Sequence, residues 1–254
     1  MSQSPGLFID IGRKARDLLY KDYGQQPPLH FHYQYIDSSF DLSCKCGDIV
    51  PGLSTVFRFI IPDSGRVELR YLSDYAGISA SVGLKANHNR SIGLDPTVKF
   101  SGVIGSSLFS LGTDVAIDVS TRTFKNYNTG LSFNAVFLNA SLTLNDKLDS
   151  LKASYYQELN PLTRTAVAAE LKHTFSHNSS LSDDNVITTT FTGGVQHALF
   201  PSTLVKARIN TDGMVGALVQ QSFWERFSVS IAGEVDFRAK SWIPKMGFSM
   251  ALRS

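Results

Sequence analysis

Apolar and polar residues alternate with a period of two along most of this chain. Between residues 66 and 71, Arg66, Glu68 and Arg70 interleave with Val67, Leu69 and Tyr71. In an extended segment that order puts charge on one face and apolar side chains on the other. The pattern recurs about every 10 to 15 residues to the end of the chain. Bounded by turn residues, it predicts strands over 29–36, 39–46, 54–61, 65–72, 76–85, 97–104, 109–119, 128–137, 139–145, 150–157, 164–173, 186–194, 203–210, 214–221, 226–236 and 244–252, about 16 in all. Asp37-Ser38, Asp63-Ser64-Gly65, Asn145-Asp146-Lys147, Asn160-Pro161 and Thr211-Asp212-Gly213 supply turns, because Gly, Asn and Asp reach positive φ and proline presets it. Links this short make neighbouring strands antiparallel. Those at 86–96 and 176–185 are longer and polar.

The first 23 residues follow a different period. Leu7, Ile11, Ala15 and Leu18 fall three or four apart, flanked by Phe8 and Leu19, while Asp10, Arg13, Lys14, Arg16 and Asp17 take the remaining faces. The spacing predicts a short amphipathic helix of about 14 residues, which would be marginal alone in water and needs a surface to dock on. Gly24 and Pro27-Pro28 end it, since proline cannot continue the turn. The division expected is 1–28 for helix and linker and 29–254 for the strands.

Collected by parity, one strand face is continuously apolar, with Phe57, Phe59, Val98, Phe100, Phe109, Leu111, Leu131, Phe133, Phe227, Ile231, Met246 and Phe248. The other carries Arg58, Lys99, Asp114, Ser132, Lys152, Glu170, Lys172, Lys206, Arg208, Glu234 and Lys245. A soluble sandwich would hide the first face between two sheets, whereas a membrane barrel turns it to lipid and fills its interior with water. The number of strands and the lack of a helical layer favour the barrel: about 16 strands closing inward would leave a core too wide for side chains to fill. Trp224, Trp242, Tyr75 and Tyr127 are expected at strand ends, where an interfacial aromatic girdle and ordinary rim packing both place such residues.

Composition removes several classes. A net charge of +2 implies no nucleic-acid partner, and no basic run interleaves with aromatics. No apolar stretch approaches the roughly 18 residues of a spanning helix, and the opening residues lack a secretory signal. His30, His32, Cys44 and Cys46 form a superficial metal set, but strand register sends the histidines and the thiols to opposite faces. No cofactor is expected. Hydrolase, zinc-protease and phosphate-loop motifs are missing, so the sequence reads as a non-enzyme.

The residues then resemble a known family. Pro5-Gly6-Leu7, Asp10-Ile11-Gly12, Lys14 to Tyr20, Tyr75-Ala76-Gly77-Ile78, Phe100-Ser101-Gly102-Val103, Ser110 to Ala116, Leu144 to Lys147, Ala153 to Gln157, Gln196 to Leu199, Val205 to Arg208 and Gly233 to Asp236 are similar to blocks of the eukaryotic mitochondrial porins, the voltage-dependent anion channels, and most closely those of plants. The blocks run in family order over nearly the whole chain. The resemblance implies an antiparallel transmembrane β-barrel of the mitochondrial outer membrane, passing ATP, ADP and other small anions and closing partially with voltage. It places the N-terminal helix in the lumen, with Asp10, Lys14, Arg16 and Asp17 taking part in gating. Lys245, Gly247, Met250 and Leu252 resemble the family's sorting signal in the last strand.

One departure stands out. Between Tyr23 and Pro51-Gly52-Leu53 about three family strands are missing, so a family barrel of about 19 strands falls to about 16. An even number lets 29–36 close on 244–252 in antiparallel fashion. Pro27-Pro28 stands where the family has a flexible glycine-rich linker. On the charged face Arg58, Arg66, Arg70, Lys99, Lys152, Lys172, Lys206 and Arg208, with Lys45, Lys85, Arg164 and Lys245, outnumber about seven acids, a weak preference for anions. Expected partners are the lipid bilayer, small anions and nucleotides in transit, and other barrels or cytosolic enzymes. The alternatives are a soluble lipid carrier, which needs about eight to ten strands, a non-conducting docking platform, and a truncated form with altered channel activity.

Overall fold

The computed structural model describes residues 4–21, 23, 40–47, 51–61, 64–86, 94–175, 188–223, 227–238 and 245–252. Among these lie fifteen strands: β1 (Phe40–Gly47), β2 (Leu53–Ile61), β3 (Ser64–Leu72), β4 (Ala76–Ala86), β5 (Leu94–Gly105), β6 (Phe109–Asp118), β7 (Thr123–Asn134), β8 (Leu138–Asn145), β9 (Ser150–Asn160), β10 (Thr165–Thr174), β11 (Thr188–Phe200), β12 (Thr203–Asn210), β13 (Met214–Phe223), β14 (Phe227–Asp236) and β15 (Lys245–Leu252). They form one sheet in chain order. Among the described residues every neighbouring pair is antiparallel, as in Phe57 opposite Val67 and Ile231 opposite Phe248. Fifteen of the expected strands are therefore present, while the expected strand 29–36 and its closure on 244–252 lie outside the described residues.

Several boundaries differ from the sequence reading: β11 runs on to Phe200 rather than ending at 194, and β9 to Asn160 rather than 157. β5 begins at Leu94 and takes in Pro96, whose carbonyl accepts the Val119 N–H at 3.1 Å. β7 begins at Thr123, so Tyr127 is not a strand-end residue but pairs with Val115 inside the sheet. Its polar start, Thr123 to Asn128, hid the strand from a search for alternating apolar residues. Arg164 leaves the wall: it sits in the β9–β10 turn at φ +48°, where its carbonyl accepts from Gln196. Tyr75 does cap a turn and is exposed, whereas Trp224 and Trp242 lie outside the described residues.

The N-terminal segment is shorter in helix than its periodicity suggests. A 3-10 turn over Phe8–Asp10 precedes α1 (Arg13–Leu19), and Gly12 between them adopts φ +65°. The break follows from Asp10, whose carboxylate turns back to accept the Leu7 N–H at 2.9 Å, and from Gly12, which reaches a left-handed conformation without strain. The apolar stripe is as expected: Leu7, Ile11, Ala15, Leu18 and Leu19 are buried, as is Tyr23 beyond the helix.

All of that stripe lies on the polar face of the sheet. Leu18 and Leu19 pack with Tyr156, Ala166 and Ala168 of β9 and β10, and Tyr23 packs with Leu218 of β13 and Ala232 of β14. The Gly6 carbonyl approaches β4 so closely that a Cβ at Gly77 would lie 2.2 Å from it. Contacts from β4 to β14 cover ten strand spacings, about 48 Å on a flat sheet, yet Gly6 and Tyr23, which make the outermost ones, are joined by a segment that its 3-10 turn and α1 shorten to about 40 Å at most. The sheet is therefore curled around the segment, polar face inward.

Candidate pore lining and helix seat

Small residues on the concave face make the seat. A Cβ at Gly112 would stand 3.0 Å from the Phe8 ring, one at Gly194 2.7 Å from Leu19 Cδ2, and one at Gly216 3.1 Å from the Tyr23 ring. With Ala166 and Ala168 they form an oblique track in which the segment lies against backbone. Between track positions the wall is knit by hydroxyl pairs, Ser79 with Ser101 at 2.8 Å, Ser110 with Ser132 at 2.7 Å and Ser141 with Ser154 at 2.6 Å. Such cross-strand pairs satisfy each other without adding bulk.

Polar anchors fix the C-terminal end of the segment. Lys206 Nζ donates to the Asp17 carbonyl at 2.9 Å and Arg208 donates to the Leu19 carbonyl at 2.7 Å. Both cations thus meet the end of α1 where carbonyls lack helical partners and the dipole is negative. Arg208 also pairs with Glu234 and lies over the Tyr20 and Tyr23 rings at 5.3 and 4.5 Å. Tyr20 donates to Glu170 Oε1 at 2.7 Å, and Glu170 pairs with Lys152 at 3.2 Å. Burial pushes the Tyr20 phenol up to about 12, with the Glu170 hydrogen bond adding to the rise and Thr192 and Arg208 opposing it. Tyr23 rises to about 12 for the same first reason.

The sequence-predicted residues divide accordingly. On the segment, Asp10 pairs with Arg13 at 3.0 Å and Asp17 with Arg13 at 3.5 Å, Lys14 stands 5.6 Å from the Tyr156 ring centroid, and Arg16 donates to the Ile9 carbonyl. On the wall, Arg70 pairs with Glu68 at 2.8 Å, Lys152 with Glu170, and Lys206 and Arg208 with the helix end. Arg58 is exposed and lies opposite Arg66 in register, and Lys172 lies opposite Lys152. Lys99 and Lys172 make no ion pair among the described residues. Arg16, Arg66, Lys99 and Lys152 border one cavity of about 340 Å³ together with Glu68, Asp114 and Glu170. In β15, Lys245 and Gly247 lie opposite Glu234 and Ala232, and Met250 and Leu252 opposite Val229 and Phe227.

The tyrosine, Glu170 and Glu234 anchors were not identified as such from sequence. A signal was present in the small residues Gly112, Gly130, Ala166, Ala168, Gly194 and Gly216, which interrupt a polar face that a water-filled interior alone would leave lined by longer side chains. Of the candidate metal set, Cys44 pairs in register with Phe57, on the apolar face, and His30 and His32 lie outside the described residues.

The convex face is bare and oily. Phe59, Ile78, Phe100, Phe109, Leu131, Val195 and Ile231 are exposed there, and a soluble protein rarely shows so large a contiguous apolar surface. No described helix is long and apolar enough to cross a membrane, which says nothing of strands. A curled antiparallel meander, apolar outside and charged within, defines a transmembrane β-barrel built around water.

Comparison with known proteins agrees. The family model for eukaryotic porins matches residues 32–247, and the chain belongs to that family. It is 39% identical to mitochondrial outer membrane protein porin 1 of Arabidopsis thaliana and 39% identical to the mitochondrial outer membrane porin of 36 kDa of Solanum tuberosum, each over 100% of both chains. It is 35% identical, again over 100% of both, to the outer plastidial membrane porin of Pisum sativum. As a family member it is a pore of the outer membrane, in contact with the lipid bilayer and with small solutes in transit, and the higher of these identities are to mitochondrial proteins. Each of these alignments runs over 292 positions against 254 residues here, so about 38 family positions are lost inside the chain rather than at its ends.

Proposed function

We propose that this chain forms a voltage-dependent, weakly anion-selective diffusion pore that passes small metabolites such as ATP and ADP. The observation that carries the reading is the concave face itself: Lys99 and Lys172 stand on it without a carboxylate partner among the described residues, and Arg16 and Arg66 border the same water-filled space. Unpaired wall cations raise the local concentration of anions through their field. In a wide pore a Debye length of about 8 Å screens each charge, so selectivity is weak and falls with salt. Residues 1–28 supply the helix and linker of the lumen and 29–254 the barrel, with Asp10, Lys14, Arg16 and Asp17 taking part in gating. The seat is polar at one end and apolar along its length, which suits an element held in place yet displaceable by a field. Lys245, Gly247, Met250 and Leu252 serve as the sorting signal of the last strand.

Reversal potentials across a potassium chloride gradient, measured on refolded protein in planar bilayers, test the reading. Anion preference that shrinks as both salt concentrations rise is expected. Cation preference would reverse the facing of the wall charges. Insertion without conductance would favour a docking platform, a reading to which the internal loss of family positions lends weight.

A further inference from the structure

Tyr20 and Tyr23 of the docked segment present the same phenol to the same cation, and the fold treats their hydroxyls in opposite ways. The Arg208 guanidinium lies over both rings, 5.3 Å from the centroid of Tyr20 and 4.5 Å from that of Tyr23. The Tyr20 hydroxyl donates to Glu170 Oε1 at 2.7 Å and stands 3.5 Å from Thr192 Oγ1. The Tyr23 hydroxyl is buried and has no hydrogen-bond partner among the described residues. The unmet group is also the deeper of the two, since Tyr23 is 1% exposed while Tyr20 is only partly buried.

The surroundings explain the orphan. Tyr23 packs with Leu218 of β13 and Ala232 of β14, and a Cβ at Gly216 would stand 3.1 Å from its ring. None of these three side chains offers a donor or an acceptor. Glu234, the carboxylate that acts electrostatically on the same phenol, is taken by Arg208. Arg208 also donates to the Leu19 carbonyl, and it meets Tyr23 through the ring face.

Ring and hydroxyl therefore pull in opposite directions. Burial of the ring and its contact with Arg208 hold the end of the segment on the wall. The hydroxyl gives up its water on docking, gains no protein partner, and recovers that water when the segment lifts. A buried tyrosine oxygen ordinarily finds a partner. Phenylalanine would fit this seat more tightly than the residue present.

We propose that Tyr23 is a release element of the helix seat: its unmet hydroxyl brings the released state of the segment closer in free energy to the docked one, while Tyr20, three residues earlier, is the latch. The inference concerns how firmly the segment is held and goes beyond the pore reading, requiring neither voltage dependence nor anion preference.

Hydrogen–deuterium exchange of the full chain, refolded in detergent micelles and read by mass spectrometry on a peptide covering residues 7–21, measures how often the segment leaves the wall. A helix as short as α1 does not persist once lifted, so its amides report release. Tyr23→Phe keeps the ring, removes only the unmet group, and should slow their exchange about tenfold. Tyr20→Phe should speed it about fivefold or more, because buried Glu170 loses a donor. Tyr23→Ala should speed it as well, since ring burial is lost. Peptides from β13 and β14 show that the wall is intact in each variant. Unchanged or faster exchange in Tyr23→Phe, with that wall unaltered, would overturn the inference, because the hydroxyl would then be satisfied in the docked state. Equal slowing in Tyr20→Phe would overturn it too, since phenylalanine would then tighten the seat wherever it stood. The readout needs no conduction, so failure of the pore reading in planar bilayers is a separate result.

Discussion

At the scale of single residues, the described interior is organised by what its charges are attached to rather than by how many there are. Arg208 joins Glu234, the end of α1 and two tyrosine rings, and Lys206 holds the Asp17 carbonyl. Tyr20 gives this seat a pH limit. Its phenol ionises near 10.0 when unperturbed and at about 12 when docked, chiefly through burial. A raised pKa means the docked form holds its proton more tightly, so the stabilisation is complete below pH 10 and is lost as pH rises through about 12. Ultraviolet titration of the phenolates, compared with Tyr20→Phe, should show one tyrosine ionising late, with protease sensitivity of residues 1–23 rising in the same range. A Tyr20 that ionised near pH 10 would mean the segment is not seated as described. Sequence periodicity identified Leu7, Ile11, Ala15 and Leu18 as the docking stripe. It could not identify Tyr20 and Glu170 as partners, because they are 150 residues apart and meet only through the curl of the sheet.

Strands were the most legible elements. Period-two alternation needs only neighbouring residues, so β11 was found from the stretch around Phe191, Thr192 and Gly194, although the strand runs on to Phe200, six residues past the expected end at 194. Polar strand ends were less legible, as the early start of β7 illustrates, because backbone pairing there does not depend on an apolar face. Facing within β11 gives a prediction. Val195→Lys puts an ammonium on the exposed convex face and should cost about 2–4 kcal/mol near mid-bilayer. Gln196→Lys, one residue away on the face that meets the segment, should change stability by about 1 kcal/mol or less. Urea unfolding in phospholipid vesicles measures both, and equal costs would mean that lipid does not cover the face assigned to it. The N-terminal element was read about two turns too long in α-helix, since a hydrophobic stripe at helical spacing survives a glycine break that keeps both halves on one wall.

For the whole molecule, the missing family positions matter most. Barrel diameter grows roughly linearly with strand number, so the expected wall of about 16 strands, of which fifteen lie among the described residues, should have about 0.7 of the open cross-section of a 19-stranded one. Single-channel conductance, recorded beside a full-length relative in the same salt, should fall to about two-thirds or lower, since the same segment occupies a smaller lumen. A conductance equal to the relative's would mean that the lost positions did not belong to the wall.

The sequence by itself determined the alternation, the antiparallel order, the division into an oily and a charged face, and the family, because each depends on residues near in the chain or on their order along it. Tertiary structure alone decided which wall cations have partners among the described residues and which do not. Lys206 and Arg208 are spent on the end of α1 while Lys99 and Lys125 are not, a distinction that alternation cannot make. The physical reason is that curvature brings β4 and β14 to the same short segment, and a one-residue bulge turns Lys125 inward. Both are properties of the assembled sheet, invisible to any window of a dozen residues.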